Sequence, residues 1–130
     1  MTVTITTILF GLPQGQRLLH VDLALSASTL TVRELIAQKV AQEVAEVVAQ
    51  QRPGLSGEYL NPEELIRATS LDALAPGTLA EEIERAQQAF SERAYMVVID
   101  EQPIWDSDAV VTLVPQSRIE FIKILPLVGG

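Results

Sequence analysis

The chain has 130 residues, 48% of them apolar and 20% charged, with a formal net charge of −8. That length and balance describe one globular domain with a buried core and exclude a disordered chain. The acidic charge argues against a nucleic-acid footprint, and the lack of cysteine excludes disulfides, a thiol nucleophile and Cys-ligated zinc.

Val3, Ile5 and Thr7 alternate with Thr2, Thr4 and Thr6 and lead into Ile8-Leu9-Phe10, which predicts a strand rich in β-branched residues. Gly11-Leu12-Pro13-Gln14-Gly15 reads as a turn. Val21, Leu23 and Leu25 alternate around Asp22 and predict a second strand over residues 18–25, closing a hairpin. Thr31-Val32-Arg33-Glu34 is a capping box, in which a hydroxyl and a carboxylate satisfy backbone amides at a helix start. Val32, Leu35, Ile36, Val40, Val44, Val47 and Val48 then form an apolar stripe at helical spacing, and Pro53-Gly54 stops the helix near Gln51.

Residues 52–93 differ in character. Asn61-Pro62-Glu63-Glu64 is a second capping box, launching a short helix with Leu65 and Ile66. Ala75-Pro76-Gly77 breaks it. Thr78-Leu79-Ala80-Glu81 is a third, opening a helix with Ile83, Ala86 and Phe90 on one face. The chain then returns to strand over Tyr95-Met96-Val97-Val98-Ile99, turns at residues 100–103, and passes through Ile104-Trp105 and a strand or packed loop at residues 110–114. The last strand, residues 118–125, is apolar at Ile119, Phe121, Ile122, Ile124 and Leu125. The order is a hairpin, a helix, a helical insertion and further strands. It predicts an α+β fold of the β-grasp, ubiquitin-like type: a mixed sheet with one main helix, a single domain over residues 1–130, a helical insertion at about 52–93 and a flexible tail at about 126–130.

The sequence ends Leu125-Pro126-Leu127-Val128-Gly129-Gly130. Two terminal glycines carry no side chain to pack, so their expected use is on a partner, threading a narrow channel to present a carboxylate. Arg118-Ile119-Glu120-Phe121-Ile122-Lys123 followed by Val128-Gly129-Gly130 resembles the ending of the thiamine-pathway sulfur carriers. Leu125-Pro126-Leu127-Val128-Gly129-Gly130 resembles that of the small subunit of molybdopterin synthase. Met96, Ile104, Asp108 and Arg118 fall in that family's order of strands and loops, and residues 31–40 match the start of its helix. The resemblance covers the last 37 residues and the first 50, and is absent from 52–93. Ubiquitin shares the layout and the final glycines but has arginines where this chain has Pro126 and Val128.

The resemblance implies that an E1-like adenylyltransferase, using ATP, adenylates the Gly130 carboxylate. Sulfur then attacks, giving a thiocarboxylate for a sulfur-accepting synthase. The chain would be a cosubstrate and not an enzyme, with no catalytic residue, no metal and no bound cofactor of its own. Gly130 and Gly129 would be the activated end, and Val128, Leu127, Pro126, Leu125 and Phe121 would form the tail and docking strip, if alternate residues of the last strand face outward. A strand covered on both faces is the competing reading of the same apolar run.

Two other readings stay open. Conjugation of Gly130 to target lysines would make the chain a ubiquitin-like modifier, favoured by the insertion; Lys39 and Lys123 are the only lysines it offers as acceptors itself. A β-grasp interaction module that never uses its C-terminus chemically is the third. His20, the only histidine, reads as a strand surface residue. Asp106 and Asp108 around Ser107 read as a turn, Glu81-Glu82-Glu84 as a first-turn charge set favourable to the helix dipole, and Trp105 as core in preference to an interface hot spot. Met1-Thr2-Val3-Thr4 has no basic leader and no apolar run approaches membrane length, so a cytoplasmic protein without membrane or nucleic-acid partners is expected.

Overall fold

The computed structural model describes residues 1–12, 15–50 and 78–124, and the architecture is α+β. The threonine alternation becomes β1 (Thr2–Leu12), paired antiparallel with β2 (Gly15–Ala24) in a register set by Val3 opposite Leu23 and Ile5 opposite Val21. Both strands run further into the hairpin than Gly11 to Gly15 as a turn implied, and Gly15 carries the φ of 101° that the bend requires. Pro13 and Gln14 lie outside the described residues.

A short strand unannounced by the sequence, β3 (Thr29–Thr31), leads directly into α1 (Val32–Gln50). The Glu34 amide donates to Thr31 Oγ1 at 3.1 Å, as the capping box predicts. The amides of Val32 and Arg33 donate instead to the carbonyls of Ala109 and Ser107, so a distant loop completes the helix start. Val32, Leu35, Ile36, Val40 and Val44 are all buried; the side chains of Val47 and Val48 fall outside the description. The expected stop at Pro53-Gly54 and the short helix of Leu65 and Ile66 also lie outside the described residues. The third capping box opens α2 (Thr78–Ser91), which packs on α1 with Phe90 buried and Ile83 and Ala86 half-buried.

Beyond α2 come β4 (Met96–Ile99), β5 (Gln102–Ile104), β6 (Val110–Thr112) and β7 (Ile119–Ile124). The β4–β5 turn is tighter than expected: Ile99 pairs with Gln102, leaving Asp100 and Glu101, both at positive φ, as a two-residue loop. The main sheet has the order β2-β1-β7-β4-β5, with β7 parallel to β1 and antiparallel to β4, while β3 and β6 form a separate two-stranded ribbon. The core lies between one face of this sheet and α1: Val3 and Ile5 of β1, Val21 and Leu23 of β2, Val97 and Ile99 of β4, and Ile119 and Phe121 of β7 all point into it.

Candidate functional site

The site is the end of β7 and the sheet around it. β7 is the middle strand of five, so alternation along it is strict. Ile119 and Phe121 face the core, whereas Glu120 and Ile122 lie on the opposite face, half-buried. Phe121 is 2% exposed, which corrects its assignment to a docking strip. The continuous apolar run could not fix the parity of the strand, and one shift exchanges the two faces. Leu125, Pro126, Leu127, Val128, Gly129 and Gly130 lie outside the described residues.

Phe121 sits in a locked network. Its ring stacks on Tyr95 with centroids 5.7 Å apart, and Tyr95 in turn meets Phe90 of α2 at 5.8 Å. The Tyr95 hydroxyl donates to the Ala86 carbonyl at 2.6 Å. From α1, Lys39 Nζ lies 4.7 Å from the Phe121 ring centre and 2.8 Å from Glu43 Oε1, with both charged side chains buried. Burial pushes the Lys39 ammonium below the usual lysine range, against the pull of the Glu43 carboxylate. Lys39 is therefore a core residue, which removes it as an accessible acceptor amine. The last strand is thus pinned to both helices just before the chain reaches residue 125.

The outer face of the sheet changes character along β7. Near its start the neighbours on the β1–β2 side are polar: Thr6 pairs with His20 on one side and Glu120 on the other, and Thr4 with Asp22, while on the β4 side Glu120 faces the half-buried Val98. Thr6 Oγ1 lies 3.2 Å from His20 Nδ1, and Thr4 Oγ1 donates to Asp22 at 2.7 Å. One row further toward the C-terminus, Leu18, Ile8, Ile122 and Met96 stand opposite one another across β2, β1, β7 and β4. Phe10, 38% exposed, is the parallel partner of Ile124 in the next row. Leu18 is 48% exposed. The face therefore turns apolar at the end from which residues 125–130 leave.

Sequence reasoning did not single out this row, yet its signal is present. The outward positions of β1 run Thr2, Thr4, Thr6 and then Ile8, Phe10; those of β2, read backward, run Asp22, His20 and then Leu18. An antiparallel hairpin superposes the two switches.

Other candidates resolve individually. His20 is exposed on the sheet, as expected. Asp106 accepts the Asp108 amide at 2.9 Å in a local turn, and Asp108 lies 3.3 Å from Arg33 in an exposed ion pair. Trp105 is 46% exposed under the Arg93 guanidinium, 5.1 Å away, correcting its placement in the core. Glu82 is buried, unlike its neighbours Glu81 and Glu84. No helix among the described residues is long and apolar enough to cross a membrane.

Comparison with known proteins brings no match: none to a family model, none to a curated protein and none to a solved structure.

Proposed function

We propose that this chain is a β-grasp carrier whose Gly130 carboxylate is activated by an E1-like adenylyltransferase and converted to a thiocarboxylate for sulfur transfer. The observation that carries the reading is the position of β7. The sheet order β2-β1-β7-β4-β5, with β7 parallel to β1 beneath α1, is the order a β-grasp requires, and its central strand hands the chain directly to residues 125–130. A central strand fixed by Phe121, Tyr95 and Lys39 gives the tail a rigid origin. The apolar row of Leu18, Ile8, Ile122 and Met96, beside Phe10, supplies a patch on which an activating partner can seat while the tail enters its ATP site.

The chemistry follows from the carboxylate. It is a poor electrophile until an oxygen attacks the α-phosphorus of ATP and pyrophosphate leaves. The resulting acyl adenylate is attacked at carbon by sulfur from a partner, and AMP departs with the bonding electrons. The chain contributes the electrophile alone, so its lack of cysteine is no obstacle. ATP is bound by the partner.

A second reading, conjugation of Gly130 to target lysines, draws support from α2. Its exposed Glu81 and Glu84, with Glu92 just past its end and Arg85 among them, form a polar, mainly acidic outer surface, which a minimal carrier has no evident need for.

Mass spectrometry of N-terminally tagged protein from its native host separates the readings. A C-terminal peptide with one oxygen replaced by sulfur at Gly130 is the expected result; an isopeptide bond from Gly130 to a foreign lysine selects the modifier. Removal of Gly129 and Gly130 is expected to leave the melting temperature unchanged and abolish ATP-dependent activation. An unmodified Gly130 in the presence of ATP and the host's E1-like enzyme overturns both.

A further inference from the structure

We propose that the protein self-associates through β2, pairing it antiparallel with β2 of a second copy about a two-fold axis at Val21. The two edges of the main sheet are unequal. β5 is three residues long, contains Pro103, which has no amide proton to donate, and follows a charged two-residue turn. These are the usual devices that blunt an edge. β2 is ten residues long and free of proline, and no strand among the described residues lies beyond it. Such an edge leaves a row of amides and carbonyls directed outward, and their natural complement is another extended strand.

The residues of β2 favour a copy of themselves as that strand. Arg17 and Asp22 cancel, so β2 has zero formal charge within a chain of −8, and two copies can approach there without the repulsion their other surfaces carry. If the sheet is to continue with its faces preserved, residues opposed across the junction must share a face. With Val21 on the axis, Leu19 meets Leu23 of the second copy on the core side. On the outer face Leu18 meets Ala24 and His20 meets Asp22, each pair occurring twice by symmetry. Adjacent registers are worse: one opposes His20 to itself and Leu18 to Asp22, and the other opposes Asp22 to itself. His20 and Asp22 are already steadied on that face by Thr6 and Thr4. The junction would also cover part of Leu18, which is 48% exposed. Strand pairing of this kind makes a weak, concentration-dependent dimer.

The test is sedimentation equilibrium of the full chain from micromolar to millimolar concentration, with folding of each variant checked by circular dichroism. A reversible monomer–dimer equilibrium is expected. His20→Asp and Asp22→His should each weaken it by roughly 2- to 30-fold, since two symmetry-related pairs are lost together. The double variant, which exchanges the partners, should restore it. Hydrogen exchange of the wild type should show β2 amides gaining protection as the dimer forms, which decides the matter even if a variant fails to fold. A monomer at all concentrations, a dimer indifferent to the single changes or not recovered in the double one, or β2 amides protected only by an added foreign protein would each overturn the proposal.

Discussion

Lys39 and Glu43 occupy positions that α1's apolar stripe would otherwise fill, between Ile36, Val40 and Val44. Two charges withdrawn from water are tolerated because they meet at 2.8 Å and because Phe121 offers its ring face to the ammonium. Removing either takes a charge-assisted hydrogen bond from the other inside the core. Lys39→Met or Glu43→Leu alone should therefore cost about 3–5 kcal/mol by urea unfolding, whereas the double replacement should recover most of that loss. Additive losses in the double variant would show that the two charges do not act as a pair. Glu82 is a different case. Its Oε1 meets Arg85 at 3.1 Å, while Oε2 has no hydrogen-bond partner among the described residues in its buried position. Burial, aided by Glu81 and opposed by Arg85, raises its pKa above the ordinary glutamate range. A carboxyl whose folded pKa lies above its unfolded one favours folding fully below the unfolded value, and that contribution is lost as pH rises through the folded value. Glu82→Gln should thus stabilise the protein more at pH 8 than at pH 5, read as the difference in melting temperature. An equal effect at both pH values would refute the assignment.

At the scale of elements, the sequence spoke clearly wherever local chemistry decided. The capping boxes at Thr31 and Thr78 placed the starts of α1 and α2, because a hydroxyl or carboxylate near free amides acts within one turn. The alternation in β1 and β2 placed the hairpin, and Tyr95 to Ile99 and residues 118–125 placed β4 and β7 to within a residue or two. What escaped depended on distant partners. β3 is three residues long and exists because Thr29, Leu30 and Thr31 pair with Thr112, Val111 and Val110, eighty positions away. The turn at Asp100 and Glu101 lacks the glycine or asparagine that would announce positive φ; it is held by Asp100, whose carboxylate accepts the Arg118 amide and whose own amide donates to the Arg118 carbonyl. The candidate site divides the same way. Its glycines are legible by identity, but the inward parity of Phe121 is set by pairing with β1 and β4, which a continuous apolar run leaves open. Trp105 reads as core from its residue type, yet it follows directly on β5, the edge strand of the sheet, and is 46% exposed.

For the whole molecule, one sheet carries two opposite demands. Its inner face is apolar over most of its area, with Thr7 buried among the apolar side chains, and receives α1, while its outer face grades from Thr4, Thr6, His20 and Glu120 to Leu18, Ile8, Ile122, Met96 and Phe10. Stability needs no such gradient, since the outer apolar side chains remain partly in water and contribute less than a core residue would. A partner that must hold the body of the protein while receiving its last residues does need it, because contact close to the tail limits the span the tail must cross. Phe10→Ser and Met96→Gln should then raise the KM for the chain in ATP-dependent activation by roughly tenfold each, as expected for central interface side chains, while changing stability by no more than about 1 kcal/mol. Glu120→Gln, on the polar half of the same strand, serves as the contrast and should leave the KM unchanged. Equal effects at the two ends, or none at either, would mean that the apolar row is not the seat of the proposed activating partner.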